Sequence, residues 1–349
     1  MKSRRTSEAA VRARRRIRYP LVIWGAIALI GFVLAQPASA TFPGDNGRIA
    51  FSQGFADVQD AFATDGGGHS QVFTIRPDGG AVRRLTSVTR HQSARAPDWS
   101  PDGQKIAYQS NQSGGFGIWV MNANGSHQTQ LTDPPADSSA AEFEDALPSW
   151  SPDGERIVFS RCREPFGFPP PACDIDVMNA NGTGVETLLS AGHWSDSRAE
   201  YSPNGKRIAF SGDRGGLISA VWVMKADGSS PKRLTPPRMR GSTPDWSPSG
   251  RRIVFSGLQR GFDGTQPPRI NLWTVRAGGG GLKRLTDFRA SDEADLATYS
   301  PNGKKIALIP GDCPRDKCFR VMHANGSHLH RVATGQQRDT LFIDWGTRG

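Results

Sequence analysis

Long apolar stretches are almost missing from this sequence, and the longest uninterrupted one is the 15-residue run 21–35. A membrane-spanning helix needs about 20 apolar residues, so a protein with many membrane helices is excluded. The run follows a segment, 2–18, with eight Lys or Arg against the single acid Glu8, and Ala38-Ser39-Ala40 comes after it. These features are typical of a secretory signal peptide. We expect residues 1–40 to be a signal peptide or an N-terminal membrane anchor, and the rest to be exported: secreted, periplasmic or cell-envelope associated.

Cysteine is also scarce, with four residues in a chain of 349. They form two near pairs, Cys162/Cys173 and Cys313/Cys318, and neither has the C-x-x-C spacing of redox or zinc motifs. An even number of cysteines in an exported chain favours disulfides. We therefore predict two local bridges, each closing one loop.

The motifs that announce catalysis are missing. The sequence has no P-loop, no H-E-x-x-H, no G-x-S-x-G and no Cys/His cluster. No pair of carboxylates is singled out by its spacing as a glycosidase pair would be. We therefore expect no enzymatic activity and no cofactor.

The chain is basic overall, but the positive charge is concentrated in the leader. The net charge is +10 for the whole sequence, and residues 2–18 carry seven of these charges. The remaining chain is close to neutral, which removes the main argument for a nucleic-acid partner.

A repeat of 45 to 53 residues runs through the rest of the chain and contains most of its turn-forming glycine and proline. Its first block is PDWSPDGQKIAY at 97, PSWSPDGERIVF at 148, AEYSPNGKRIAF at 199, PDWSPSGRRIVF at 244 and ATYSPNGKKIAL at 297. Its second block includes IWVMNANGSHQTQLT from 118 and VWVMKADGSSPKRLT from 221. Such a period is the mark of a repeat architecture.

Each repeat predicts four short strands, A to D. Strand A ends at the aromatic residue, and S-P-D/N-G is a tight turn with proline and glycine at the positions that need them. I-A/V-F is strand B, W-V-M is strand C, and the K-R-L-T block is strand D. No stretch after the leader keeps an apolar period of 3.6 residues, so the fold class is all-β.

The two ends of the chain predict the number of repeats. The first unit lacks strand A, and the chain ends with a strand A, 341–345, that lacks the other three. Pairing 341–345 with 48–52 completes a sixth unit. We therefore predict that residues 41–349 form a six-bladed β-propeller of four-stranded blades, closed by the C-terminal strand.

The W/Y-S-P-D/N-G-x-x-I-A/V-F block followed by W-V-M-x-A-D/N-G resembles the TolB-like β-propeller repeat family, and the resemblance covers nearly all of 42–349. It implies the fold and leaves the activity open. TolB itself has an N-terminal α/β domain before its propeller, whereas here the first repeat follows the leader directly. The resemblance therefore implies no Tol–Pal role by itself.

The lengths of the loops predict which face binds. The A–B and C–D turns are uniform and lie at one end of every blade. The B–C and D–A loops lie at the other end and vary, as in 161–173, 257–269, 133–147 and 287–297. Binding residues collect on long, variable loops over a rigid scaffold.

The D–A loops also lead toward the central channel, and their charged residues are the candidate site. The acids among them raise the possibility of a Ca²⁺ ion, although no EF-hand loop is present. The candidates are His91, Arg95, Glu142, Glu144, Asp145, Asp196, Arg198, Glu200, Arg240, Asp292, Glu293, Asp295 and Arg338.

We expect a monomeric, non-catalytic scaffold that binds a protein, a peptide or a glycan through the B–C and D–A loops. The membrane would be a partner only through an uncleaved leader. The alternative is a hydrolase or lyase that cleaves polysaccharide at the channel.

Overall fold

A computed structural model describes residues 42–55, 69–89, 91–133, 141–165, 172–192, 194–214, 218–259, 269–288, 294–310, 318–334 and 340–348. The chain divides into two units, 1–36 and 37–349, and every described residue belongs to the second. Within these ranges no helix has the length and apolar character needed to cross a membrane.

The described residues form six antiparallel sheets of four strands each, the predicted blades. Blades 1 to 3 contain β1 (Asn46–Phe55), β2 (His69–Ile75), β3 (Arg83–Arg84), β4 (Ala94–Trp99), β5 (Lys105–Ser110), β6 (Gly117–Asn122), β7 (Thr129–Gln130), β8 (Ala141–Trp150), β9 (Arg156–Pro165), β10 (Ala172–Asn179) and β11 (Glu186–Leu189). Blades 4 to 6 contain β12 (Asp196–Tyr201), β13 (Arg207–Gly212), β14 (Ala220–Lys225), β15 (Lys232–Arg233), β16 (Met239–Trp246), β17 (Arg252–Gln259), β18 (Ile270–Arg276), β19 (Lys283–Arg284), β20 (Ala294–Tyr299), β21 (Lys305–Pro310), β22 (Cys318–His323) and β23 (His330–Ala333). The last strand is β24 (Thr340–Thr347).

The propeller closes as predicted, because β24 pairs with β1 and becomes strand A of blade 1. In this pairing Ile49 lies opposite Trp345, and Phe51 lies opposite Ile343. The closing strand gives blade 1 its fourth strand, so this blade has the same antiparallel four-stranded order as the other five.

The S-P-D/N-G turn is a structural device in every blade where it occurs. In blade 2 the hydroxyl of Ser100 donates to Asp102 Oδ1 at 2.6 Å and accepts a bond from the amide of Lys105 at 2.8 Å. Gly103 has a φ of 67°, in the left-handed region that favours glycine. The side chains of the turn thus make the hydrogen bonds that close the hairpin. This structural role explains why Asp, Asn and Ser alternate at the third position of the turn motif.

The apolar core lies between adjacent blades. Phe51 of blade 1 stacks on Phe73 with ring centres 5.5 Å apart, and it lies 6.4 Å from Phe319 of blade 6. All three rings are buried, and burying one phenylalanine is worth about 1.5–3 kcal/mol. Blade-to-blade packing therefore holds the ring together.

Several segments predicted as loops are strands. The range 161–173 is shorter as a loop than expected, because β9 continues through Pro165 and β10 begins at Ala172. Likewise β8 begins at Ala141, β17 continues to Gln259 and β20 begins at Ala294. The physical reason is cross-strand pairing, which extends a ladder past the sequence motif that starts it.

The first predicted disulfide is present. Cys162 of β9 and Cys173 of β10 lie directly opposite each other, with their Cα atoms 4.0 Å apart, and are bonded. The bridge therefore links two paired strands covalently at the loop end of blade 3. The second predicted bridge joins Cys313 to Cys318, and Cys313 lies outside the described residues.

Candidate functional site

The central channel is lined by the residue that precedes the aromatic anchor in each blade. All six side chains at this position are polar, and they face one cavity of about 80 Å³ that strands A of all blades enclose. We call them the channel ring: Asp98, Ser149, Glu200, Asp245, Thr298 and Asp344.

Three acids of the channel ring join neighbouring blades. Asp344 Oδ2 accepts a hydrogen bond from the amide of Trp99 at 2.8 Å, and Asp98 Oδ2 accepts one from the amide of Trp150 at 2.8 Å. Asp245 Oδ2 does the same for the amide of Tyr299 at 2.6 Å. Each bond runs from one blade to the next, so these carboxylates satisfy backbone donors that would otherwise be orphaned.

Glu200 makes its contact in the opposite direction around the ring. Its longer side chain accepts a bond from the hydroxyl of Ser149 in the preceding blade at 2.7 Å. Its carbonyl oxygen accepts a bond from the indole of Trp246 in the next blade at 3.0 Å. Glu200 is thus the one candidate of the sequence analysis that belongs to the channel ring.

A β-bulge aims the channel ring inward. The pairing register of strand A shifts between Arg95 and Asp98 and at the same place in blades 3, 4 and 5. The residue two places before the ring position has a positive φ in four blades, at Ala96, Leu147, Arg198 and Thr243. A left-handed residue other than glycine costs roughly 1–2 kcal/mol. Bulges re-aim side chains in this way at functional positions and at strand ends.

The strain of the bulge is offset by a hydrogen bond from the neighbouring blade. The amide of Arg198 donates to the hydroxyl of Ser160 at 3.2 Å, and the amide of Thr243 donates to that of Ser211 at 3.0 Å. Both serines follow the I-V-F or I-A-F motif of strand B. The repeat therefore supplies both sides of the contact.

Arg198 covers the cavity from the side of the D–A loops. It precedes Glu200 on β12, and its guanidinium lies 5.4 Å from the ring of Phe342 on β24. Leu147 and Leu296 line the same level of the channel. The positive charge of Arg198 favours the ionised form of Glu200, so the guanidinium partly compensates the acids beneath it.

Burial gives the channel acids unusual proton affinities. It raises the pKa of Asp98 and that of Glu200 well above their usual ranges, and the nearby carboxylates Asp344 and Asp245 add to the effect. Burial also raises the pKa of Asp344 to about 6, against the amide of Trp99, which lowers it. These three carboxyl groups therefore bind a proton more readily than exposed acids do, because several negative charges repel one another in so small a space.

Closer to the loops, two candidate residues form an ion pair between blades. Arg95 Nη2 of β4 lies 2.7 Å from Glu144 Oε1 of β8, and both side chains are partly exposed. The guanidinium of Arg95 also stacks on Phe116 at 4.3 Å from its ring centre. Glu144 accepts a further bond from the amide group of Gln109. This pair borders the channel mouth between blades 2 and 3.

Two other candidates are internal to their blades. Asp145 is fully buried and takes both fork bonds of Arg161, at 2.7 and 2.8 Å. Asp196 is also fully buried and pairs with Arg214. Burial raises the pKa of Asp196 to about 6, although Arg214 acts against it. Neither carboxylate forms part of an exposed rim, contrary to the interpretation of both as loop acids.

The remaining candidates fall into three groups. His91 and Arg240 are exposed at the loop face. Glu142 and Asp295 lie on β8 and β20, while Asp292, Glu293 and Arg338 lie outside the described residues. In the part of the chain that the structure describes, no group of three or more His, Cys, Asp or Glu side chains is placed to hold a metal ion. The calcium hypothesis therefore has no support from these residues.

Sequence reasoning missed most of the channel ring. It singles out Glu200 alone, although Asp98, Asp245 and Asp344 stand at the same position of the repeat. The signal was present in the alignment of the repeats, where the column before the aromatic residue reads Asp, Ser, Glu, Asp, Thr and Asp. A column that is polar in every blade next to a buried aromatic indicates a shared interior surface.

The chain resembles known proteins both in sequence and in fold. It is 32% identical to the uncharacterized protein Atu1656 of Agrobacterium fabrum over 148 residues, which is 40% of this chain and 46% of that protein. It is 35% identical to the Tol-Pal system protein TolB of Alcanivorax borkumensis over 83 residues, which is 23% of this chain and 18% of that protein. The chain thus spans less than half the length of these curated relatives.

The crystal structure of TolB from Acinetobacter baumannii has the same fold. It matches 88% of this chain and 68% of its own length, with a TM-score of 0.66 and 21% sequence identity. At this identity the likeness concerns the fold alone. The model of the TolB beta propeller domain matches residues 57–164 and 138–346, which is most of the chain. With six four-stranded blades carrying that family's repeats, this chain belongs to the TolB β-propeller domain family.

Proposed function

We propose that this chain is an exported, non-catalytic scaffold that holds a protein or peptide partner on the face of its B–C and D–A loops. The observation that carries the proposal is the size of the channel cavity, about 80 Å³. Pockets that enclose a small-molecule substrate measure about 300–1,000 Å³. A cavity several times smaller holds a few water molecules or a single side chain, which suits a partner that docks on the surface.

The chemistry of the channel ring also supports binding over catalysis. Asp98, Asp245 and Asp344 each accept a backbone amide of the next blade, so their first role is to hold the ring of blades together. A general acid or base needs a carboxyl group within reach of the bond it acts on. The carboxyl groups of Asp98, Asp245 and Asp344 are already hydrogen-bonded to backbone amides, and they lie beneath the side chain of Arg198.

The charges at the loop face indicate the kind of partner. Arg240 is exposed, and the ion pair of Arg95 with Glu144 borders the channel mouth. A surface of mixed sign favours a partner with both acidic and basic groups, and it increases the rate of association more than the affinity. Export to the periplasm or cell envelope is part of the proposal and is supported by the leader and by the disulfide in blade 3.

Charge reversal on the two faces tests the proposal. We expect the full-length variant Arg240→Glu to recover less of its partner from the cell-envelope fraction than the wild type does. The matched control is Lys304→Glu, since Lys304 is exposed in the A–B turn of blade 6 on the opposite face. Equal recovery by both variants would contradict the face assignment.

The polysaccharide-cleaving alternative has a separate test. Oligosaccharide release from envelope and plant-type polysaccharides is measured for the wild type and for Glu200→Gln, which keeps the hydrogen bond with Ser149. We expect no turnover by either protein. Turnover by the wild type that disappears in the variant would favour the enzyme and contradict a non-catalytic scaffold.

A further inference from the structure

A second and larger cavity lies on the opposite face, between blades 1 and 2. Its volume is about 1,000 Å³, and the uniform A–B and C–D turns form its walls. Both ends of the propeller reach it, since Asn46 at the start of β1 and Arg348 after β24 are among its lining residues. We call this cavity the turn-face groove. It is within the size range of ligand pockets, unlike the channel.

The turn-face groove is lined by positive charge. Five basic side chains border it against one acid, Asp78, and the bases are Arg48, Arg76, Arg83, Lys105 and Arg348. These bases are close enough to affect the pKa of one of them, Arg48. Burial, followed by the charges of Arg83 and Arg76, lowers the pKa of Arg48.

The bases differ in how far the protein itself satisfies them. Arg48 donates to Thr74 Oγ1 at 3.0 Å and to the carbonyl oxygen of Ala81, so the fold holds its guanidinium in place. Among the described residues, the side chains of the other four bases have neither a hydrogen-bond nor an ion-pair partner: Arg76, Arg83, Lys105 and Arg348. They supply donors that the folded chain leaves to solvent or to a ligand.

Blade 3 shows how the same repeat position is neutralised elsewhere. Its strand B begins with Arg156, at the position of Arg48 and Lys105 in the repeat. Arg156 Nη2 lies 3.1 Å from Glu186 Oε1 on strand D of the same blade. In blade 1 the corresponding strand D is Arg83–Arg84, so a base stands where blade 3 has an acid. Blades 4 and 5 also carry bases at this position, Lys232 and Lys283. The groove between blades 1 and 2 is distinguished by the single cavity that its five bases line.

From this geometry we propose that the turn-face groove binds a ligand bearing phosphate groups. One phosphate carries up to two charges and three acceptor oxygens, so it satisfies several bases at once, whereas a carboxylate carries a single charge. Guanidinium groups match the oxygens of phosphate in a bidentate manner. Four bases without a protein partner around one cavity call for two or more such charges.

Two sources supply this chemistry, a soluble phosphate compound and the headgroup of an anionic phospholipid. The binding of the groove to either one is independent of the proposed partner surface, because the two sites lie on opposite faces. A failure of the experiment below therefore leaves the loop-face proposal standing, and the reverse also holds.

The experiment uses the full-length chain in uncharged detergent, titrated calorimetrically with tripolyphosphate. The test variant is Arg76→Gln/Arg83→Gln. The matched control is Arg276→Gln/Lys283→Gln, which removes the same charge from the same repeat positions in blade 5, away from the groove. We expect roughly tenfold weaker binding or more in the test variant and less than about twofold in the control. Equal thermal midpoints verify that all three proteins are folded.

A second titration separates the two sources. The chain is mixed with vesicles of equal parts phosphatidylcholine and phosphatidic acid, whose phosphate is a monoester with up to two charges, and separately with vesicles of phosphatidylcholine alone. Binding to the anionic vesicles that the blade 1 variant loses and the blade 5 variant keeps assigns the groove to a lipid headgroup. Tripolyphosphate binding without vesicle binding assigns it to a soluble compound.

Three results would overturn the proposal. The first is the absence of binding to both tripolyphosphate and anionic vesicles. The second is an equal loss in both variants, which would reflect only the net charge of the protein. The third is tighter binding of an oligoglutamate peptide than of tripolyphosphate, which would make the groove a carboxylate site.

Discussion

The guanidinium of Arg198 lies 5.4 Å from the centre of the Phe342 ring, although the two residues belong to blades 4 and 1, on opposite sides of the channel. Blades 1 and 4 are three positions apart, which is the largest separation possible in a ring of six blades. The contact thus spans the channel axis and covers the four acids of the channel ring. It joins parts of the chain that no local interaction connects.

We predict that Arg198 and Phe342 stabilise the protein cooperatively. In a double-mutant cycle with Arg198→Met and Phe342→Leu, we expect a coupling of about 1 kcal/mol in the free energy of unfolding, as for a partly desolvated cation–π contact. Urea unfolding at neutral pH measures it. The control cycle combines Phe342→Leu with Arg207→Met instead of Arg198→Met, because Arg207 packs on Trp246. Additive effects in the first cycle would show that the contact contributes nothing.

We predict that Asp344 makes the protein less stable as the pH rises through the range from about 4 to about 6. The folded-state pKa of Asp344 is about 6 against a usual value of 3.8. In this window the folded chain binds a proton that the unfolded chain has released, so folding is favoured at the acidic end and this contribution is lost above the folded pKa.

The variant Asp344→Asn tests this, because its amide oxygen still accepts the bond from Trp99. We expect the variant to be more stable than the wild type above about pH 6, by up to about 3 kcal/mol, and the difference to vanish near about pH 4. Urea unfolding at several pH values measures it. Asp78→Asn, at an exposed acid outside the channel, is the control, with a change within about 0.5 kcal/mol. A difference independent of pH would refute the assignment.

We predict that the Cys162–Cys173 bridge contributes about 2–3 kcal/mol to stability, because it closes a short loop and restricts the unfolded chain. The variant Cys162→Ser/Cys173→Ser should have a lower thermal midpoint. A reducing agent should lower the midpoint of the wild type more than that of the variant. An equal response in both proteins would mean that the bridge is not formed in solution.

The predicted Cys313–Cys318 bridge has its own test. Intact-mass analysis of the exported wild-type protein after thiol alkylation should show no added label. Label on two thiols would show that only the blade 3 bridge forms.

We predict that Asp145 is a structural residue of blade 3. The variant Asp145→Ala leaves Arg161 with Asp176 as its remaining acidic partner, at 3.0 Å, and removes both fork bonds. We expect a loss of about 2–4 kcal/mol in the free energy of unfolding, since Asp176 alone compensates the charge of Arg161 only in part. Glu155→Ala, at an exposed acid of the same blade, should change stability by less than about 0.5 kcal/mol. A small effect at Asp145 would contradict a structural role for its ion pair with Arg161.

Much of the fold follows from short motifs. Pro and Gly in S-P-D/N-G restrict the backbone to one turn, and the I-A/V-F block can be buried on both faces only between blades. The half-repeats at the two ends then determine how the ring closes. The Cys162–Cys173 bridge was predictable for the same reason, because both cysteines flank one hairpin.

The candidate site was less predictable, because its residues meet across blades. Arg95 contacts Glu144 over a separation of 49 residues, and Trp99 donates to Asp344 over 245. A bulge of one residue decides whether a side chain on strand A faces the channel or the blade, and the motif does not encode that shift. Asp145 and Asp196 were therefore assigned to the rim, although each pairs with an arginine of its own blade.

The sequence by itself determined the all-β class and the four-stranded blades, because both depend on contacts within about one repeat. It also determined the closing strand, because the incomplete units at the two ends complement each other. Only the tertiary structure decided which charges compensate one another. It placed three acids under backbone amides of neighbouring blades, set Arg198 over the channel, and left four of the five described bases that line the turn-face groove without a side-chain partner in the described chain. Electrostatic pairing depends on distances between residues far apart in the chain, and those distances exist only once the ring has closed.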